Sequence, residues 1–129
     1  MSGRLGRRTI LIADDEPELR QILAFELEFH GAVCLHASDG DEAWKLLQAN
    51  SIDVVISDMK MPRGGGVDLL RQIRERLGGR IVVMLVSGFV EHAEQDLLSA
   101  GADAIYSKPF DTEKMINDLV RIMADRACR

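Results

Sequence analysis

The sequence predicts an α/β domain: a doubly wound, five-stranded parallel sheet with five helices. Three observations predict it. Short apolar, β-branched runs alternate with amphipathic stretches five times along the chain, as in consecutive strand–helix units. The middle runs, Asp53-Val54-Val55-Ile56-Ser57 and Ile81 to Val86, are continuously apolar, as strands buried on both faces are. The length of 129 residues suits one domain with one core, with too few strands for a (β/α)8 barrel. Right-handed crossovers then give an open sheet of flavodoxin-like type.

The elements follow in order. Thr9 to Ala13 reads as a short buried strand. Pro17 suits the first turn of a helix, whose stripe is Leu19, Ile22, Leu23 and Phe29 and which Gly31 ends. Ala32 to Ala37 is a second strand. A helix from about Asp41 to Ala49 carries Ala43, Leu46 and Leu47, with Trp44 beside them. Asp53 to Ser57 is the third strand. Asp58 to Gly66 is a loop whose glycines suggest a floppy turn. Val67, Leu69, Leu70, Ile73 and Leu77 mark a third helix, broken by Gly78-Gly79. Ile81 to Val86 is a fourth strand, Glu91 to Ser99 a short fourth helix and Ala104 to Ser107 a fifth strand. Asp111 or Thr112 caps the last helix, with Met115, Ile116, Leu119, Ile122 and Met123 toward the core.

Composition narrows the function classes. Hydrophobic residues make up 47% and charged residues 29%, ordinary for a soluble globular domain. A formal net charge of -5 disfavours direct nucleic-acid binding. Arg4, Arg7 and Arg8 form a short basic leader with no signal-peptide h-region behind it. No stretch approaches transmembrane length, so no membrane contact and a cytoplasmic location are expected. Arg71, Arg74 and Arg76 read as a solvated helix face. Cys34 lies in an apolar run and reads as a small core residue, while Cys128 lies in the tail. His30, His36 and His92 lack metal-ligand spacing, and zinc is not expected.

Such sheets bind ligands at the carboxyl ends of their strands. Strand one ends at Asp14-Asp15, strand three at Asp58, strand four at Ser87-Gly88 and strand five at Ser107-Lys108-Pro109. Three carboxylates, a hydroxyl and an ammonium are thus expected on one rim. Crowded carboxylates repel one another, and a hard divalent cation such as Mg2+ offsets that with oxygen ligation. The acidic first turn is the opposite of a phosphate cradle. No G-x-G-x-x-G or Walker sequence occurs, since Gly64-Gly65-Gly66 runs into Val67-Asp68.

These residues resemble the response-regulator receiver domain, the phosphoacceptor half of two-component signalling. The resemblance spans about Thr9 to Met123. It rests on Ala13-Asp14-Asp15-Glu16, Ser57-Asp58-Met59-Lys60-Met61-Pro62, Ser87-Gly88 and Ser107-Lys108-Pro109-Phe110, in order and at the right strand ends. It leaves a flexible leader over 1–8, a receiver over 9–125 and a tail over 126–129. It implies that Asp58 accepts phosphate from a phosphohistidine on a histidine kinase or histidine phosphotransfer protein. Mg2+ would be held by Asp14, Asp15, Asp58 and the main-chain carbonyl of Lys60. Ser87 and Lys108 would contact phosphoryl oxygens, and the Lys108-Pro109 bond would be cis. The chain would be a signalling phosphoacceptor that catalyses its own phosphorylation and dephosphorylation, not an enzyme with an external substrate. It would signal to an unknown output partner, or dimerise, through its helix 4, strand 5 and helix 5 face.

One departure stands out. Similar domains often carry an aromatic residue three before the lysine. Here that position is Ile105, and the aromatic is Tyr106, one residue later. A shift of one flips the face in a strand, so Tyr106 is not expected to act as the usual rotamer switch. Lys60 and Phe89 are expected to screen the acyl phosphate from water. Two rivals stand beside the leading reading. One is a binding module with a receiver fold that is no longer phosphorylated. The other is a Mg2+-dependent aspartyl phosphatase, disfavoured because Lys60 stands where those enzymes carry a second acid.

Overall fold

The computed structural model describes residues 3–88 and 94–127. Ten elements alternate strictly: β1 (Thr9–Ala13), α1 (Pro17–Phe29), β2 (Val33–Ala37), α2 (Gly40–Ala49), β3 (Val54–Asp58), α3 (Gly66–Arg76), β4 (Val82–Ser87), α4 (Glu94–Ser99), β5 (Ala104–Ser107) and α5 (Thr112–Ala127). The strands form one sheet in the order β2-β1-β3-β4-β5, parallel at every pairing. The chain reverses its direction of winding between β1 and β3, and the ends of those strands flank the switch point where such folds bind ligands.

Strand periodicity divides the core. Ile10, Ile12, Val54, Ile56, Val82, Met84 and Val86 face Leu23, Ala24 and Leu27 of α1 and Met115, Ile116, Leu119 and Met123 of α5. Leu11, Ala13, Val55, Val83 and Leu85 face Ala43 and Leu47 of α2, Leu69, Leu70 and Ile73 of α3, and Leu97 of α4. Each fully buried Leu or Ile contributes about 2 kcal/mol of transfer free energy. Caps define the helix starts: Asp39 accepts from the Glu42 N–H at 2.8 Å, and Asp111 accepts from the N–H groups of Glu113 and Lys114 at 3.0 and 3.3 Å.

Several expectations change. The α1 stripe is wrong in part: of the residues expected inside only Leu23 is buried, alongside Ala24 and Leu27, whereas Leu19, Ile22 and Phe29 are 39%, 63% and 78% exposed, and Phe25 is exposed too. Apolar residues occur around most of this helix, so spacing alone did not select its inner face. The described part of the leader, residues 3–8, is packed. Leu5 is fully buried and its N–H donates to the His30 carbonyl at 2.9 Å. Arg4 donates to Glu113 at 2.9 Å and also bonds Asn117.

Arg74 is not solvated. It donates to the Gly101, Gly78 and Ile81 carbonyls and, at 3.1 Å, to Asp103. Asp103 also takes the Val83 N–H at 2.8 Å and Arg126 at 2.6 Å. Arg71 and Arg76 are exposed, as expected. Cys34 lies half-buried on the edge strand, its thiol pushed up to about 12 by burial, with Glu28 adding to the shift. Cys128, His92 and the first three residues expected for the fourth helix, 91–93, lie outside the described residues.

The glycine loop is tight rather than floppy. A Cβ on Gly65 would lie 2.1 Å from the Met59 carbonyl oxygen, and one on Gly66 would lie 2.7 Å from that of Asp58. The N-terminus of α3 therefore packs main chain to main chain beneath the end of β3.

Candidate functional site

The carboxyl ends of β1, β3, β4 and β5 meet at one rim. Asp14, Asp58 and Ser87 are all buried there. Lys108 reaches back from the end of β5, placing its Nζ 2.8 Å from Asp58 Oδ2, 3.3 Å from Asp14 Oδ2 and 4.0 Å from Glu16 Oε1. Its main-chain N–H donates to the Ser87 carbonyl at 2.8 Å, tying the lysine to the neighbouring strand end. The Lys108-Pro109 bond is cis.

The second carboxylate oxygens are oriented by local main chain. Asp14 Oδ1 accepts from the Glu16 N–H at 2.9 Å, and Asp58 Oδ1 accepts from the Lys60 N–H at 3.2 Å. Partial burial alone would lower the Lys108 pKa. The hydrogen bond to Asp58, with the charges of Asp58 and Asp14, outweighs it and holds Lys108 above the ordinary lysine value. The ammonium is thus firmly charged at neutral pH.

Two clefts open here. One, of about 210 Å³, is lined by Glu16, Asp58, Met59, Lys60, Ser87, Gly88 and Lys108. The other, of about 400 Å³, runs from Asp14, Asp58 and Lys108 between α1 and Phe110, past Leu19 and Ile22. The carboxylates of Asp14, Asp15 and Glu16 can bring oxygens within 4.8 Å of one another. With Asp58 tied to Asp14 through the shared lysine, the donor set is all oxygen and carries more negative charge than Lys108 offsets. That chemistry fits a hard divalent cation.

The predicted residues Asp14, Asp58, Ser87 and Lys108 therefore converge. Asp15 is exposed beside them, and Lys60 lines the smaller cleft with an exposed side chain. Phe89 lies outside the described residues. Two residues of the site received no role from sequence. Glu16 was visible in the acid run, and its carboxylate joins the cluster. Arg20, in the first turn of α1, donates to the Asp14 main-chain carbonyl at 2.5 Å; nothing in residue spacing pointed to that contact.

Tyr106 faces away from this rim, as the one-residue offset requires. It is buried in the α1–α5 half of the core, with its hydroxyl donating to Asp118 at 2.6 Å, while Ile105 packs in the opposite half. Burial and the Asp118 bond push the tyrosine pKa up.

The fold is thus a doubly wound parallel sheet whose carboxyl-end rim is acid-rich and bridged by a lysine. The family model of the response regulator receiver domain matches residues 10–120, and the chain belongs to that family. The chain is 34% identical over 105 residues to the response regulator GtcR of Aneurinibacillus migulanus, covering 81% of this chain and 43% of that protein. It is 36% identical over 118 residues to the sensor histidine kinase RcsC of Escherichia coli, covering 91% of this chain and 12% of that protein. The chain therefore spans less than half of these curated relatives. Among solved structures, a Francisella response regulator receiver domain superposes with a TM-score of 0.84 at 28% identity, covering 94% of this chain and 99% of that one. The response regulator TrrA of Thermotoga maritima, solved in complex with Mg(2+)-BeF, gives 0.79 at 30% identity, covering 88% and 97%. Among the described residues no helix is long and apolar enough to cross a membrane.

Proposed function

We propose that this receiver domain accepts a phosphoryl group on Asp58 from a phosphohistidine donor in a Mg2+-dependent reaction, and that the resulting change of state signals to an output partner. The observation that carries the proposal is the Lys108 ammonium held between Asp58 and Asp14, 2.8 and 3.3 Å from their oxygens, in a rim that stays acidic despite it. The TrrA neighbour, solved with Mg(2+)-BeF, supports the same reading.

The residues supply the chemistry as follows. A carboxylate oxygen of Asp58 attacks phosphorus as the phosphorus–nitrogen bond to the donor imidazole breaks, leaving an acyl phosphate and a neutral imidazole once that nitrogen takes a proton. The transition state spreads charge over the equatorial oxygens, and Lys108 and Ser87 would stabilise it. Asp14, Asp15, Asp58 and the Lys60 carbonyl would hold Mg2+, which supplies charge neutralisation to the phosphoryl oxygens. The Lys60 N–H, donating to Asp58 Oδ1, would steady the nucleophile. Hydrolysis of the acyl phosphate resets the domain, with Lys60 and Phe89 setting its rate. The site acts on its own carboxylate and so is a phosphoacceptor rather than an enzyme with an external substrate.

Asp58 must meet its donor at bonding distance, so the donor surface covers this rim. The partner is a histidine kinase or histidine phosphotransfer protein in the cytoplasm. It docks over the larger cleft, where Leu19 and Ile22 present apolar surface beside Asp58. Output passes through the face of α4, β5 and α5, to an effector or to a second copy. Tyr106, tied to Asp118, stays in place during the change.

Intact-mass spectrometry after incubation with acetyl phosphate tests the core of this reading. One phosphoryl adduct is expected, dependent on Mg2+ and absent from Asp58→Asn. An adduct that persists in the variant would overturn the assignment of Asp58. No adduct from either acetyl phosphate or a phosphohistidine protein would favour a silent binding module.

A further inference from the structure

The half-buried side chain of Arg20 lies beside the rim, yet among the described residues it bonds no carboxylate named above. Its Nη1 donates to the main-chain carbonyl of Asp14 at 2.5 Å. Its Nε is buried without a hydrogen-bond partner among the described residues. A buried donor with no acceptor subtracts from stability. Stability of the fold is therefore a poor account of this arginine.

The turn it grips has a problem of its own. Asp14, Asp15 and Glu16 follow one another, and their carboxylate oxygens can approach within 4.8 Å. Like charges that close push the turn apart. The Asp14 N–H is held by the Ala37 carbonyl at 3.0 Å, and Asp14 Oδ1 by the Glu16 N–H at 2.9 Å. Arg20 adds a third restraint by fixing the carbonyl of the peptide plane between Asp14 and Asp15, from which the exposed Asp15 side chain departs. A guanidinium that paired with the carboxylates would occupy the oxygens a cation needs. One that binds the main chain adds no second cation to carboxylates that already accept from the Glu16 N–H and from Lys108.

We infer that Arg20 is a positioning residue: it holds the β1–α1 turn in the shape in which Asp14 and Asp15 together receive a divalent cation. It acts through the Asp14 main chain and does not itself touch the cation or the phosphoryl group. The inference rests on the cation site proposed above.

Geometry and charge make opposite predictions, which makes the test decisive. Removing a positive charge near a cation site tightens cation binding. Removing a positioning contact weakens it. Calorimetric titration of the full chain with MgCl2 is compared for wild type, Arg20→Met and Arg20→Lys, with thermal melts in the absence of Mg2+. Arg20→Met is expected to bind Mg2+ about fivefold more weakly while melting within about 3 °C of wild type. Arg20→Lys, which keeps a donor of similar reach, is expected to recover most of that affinity. Binding by Arg20→Met as tight as wild type or tighter overturns the inference, as does a larger fall in its melting temperature, which would make Arg20 a structural peg. A lysine variant as weak as the methionine one also overturns it. Wild type tests the underlying site separately: no Mg2+ binding by wild type overturns the cation site itself.

Discussion

At the carboxyl end of the sheet, Asp14 and Asp58 share one ammonium, that of Lys108, with Asp15 and Glu16 adding further carboxylates. At the amino end, Asp103 sits between two guanidiniums, those of Arg74 and Arg126, and also takes the Val83 N–H. Both clusters contain acids and bases within hydrogen-bonding distance, and both tie several elements together. They differ in balance. Both guanidiniums around Asp103 are engaged further: Arg74 donates to the carbonyls of Gly78, Ile81 and Gly101, and Arg126 to those of Gly79 and Arg80. The rim at the other end is left acidic. A satisfied cluster is a clamp, and an under-neutralised one is built to receive charge.

Substitutions at the two ends should therefore fail in different ways. The largest effect is expected from Lys108→Met, which should slow labelling of Asp58 by acetyl phosphate about a hundredfold, measured as the initial rate of adduct formation at saturating Mg2+. The same bridge sets a pH dependence. Its folded-state pKa is raised, so the stability it contributes is fully present below the ordinary lysine value of 10.5 and is lost as pH rises through the higher folded value. Chemical denaturation of wild type between pH 9 and 11.5 should show that loss, and Lys108→Met should lack it. An equal decline in both would detach the bridge from stability.

Next comes Asp103→Ala, which leaves Arg74 and Arg126 facing each other without their shared carboxylate. A loss of about 2 kcal/mol is expected in urea denaturation, with adduct formation on Asp58 unchanged in the folded protein. A loss of labelling at full stability would break the division between clamp and site. The smallest effect on stability is expected from Ile22→Asp on the exposed side of α1, within about 0.5 kcal/mol. Labelling by acetyl phosphate should be unaltered, while transfer from a phosphohistidine protein should slow. Equal slowing with both donors would place the residue's influence in the site rather than in docking.

Much of this architecture was legible in the chain because its signals are local. Continuous apolar runs marked β3 and β4, and the polar residues that follow the strand runs fall on the rim, so Asp14, Asp58, Ser87 and Lys108 are legible from the sequence alone. The offset of Tyr106 was equally legible, since strand alternation follows directly from position. What escaped was set by distance through space. Arg74 reads as a surface arginine until its long side chain meets carbonyls from the loops on either side of β4 and α4. Leu5 stands alone among arginines and glycines, with no periodicity to announce that it is buried. In α1 the buried face is Leu23, Ala24 and Leu27, while Phe25 and Phe29 lie outside it, a choice that spacing along an almost all-round apolar helix does not carry.

The close seating of Gly65 and Gly66 against the carbonyls of Met59 and Asp58 has a further consequence. Side chains can swing between rotamers, whereas main chain pressed on main chain has no such latitude. The junction of β3 and α3 is therefore the stator of this molecule. Across the rim, by contrast, Asp58 is held from the end of β5 by the Lys108 ammonium, a group on a long side chain that can be re-aimed.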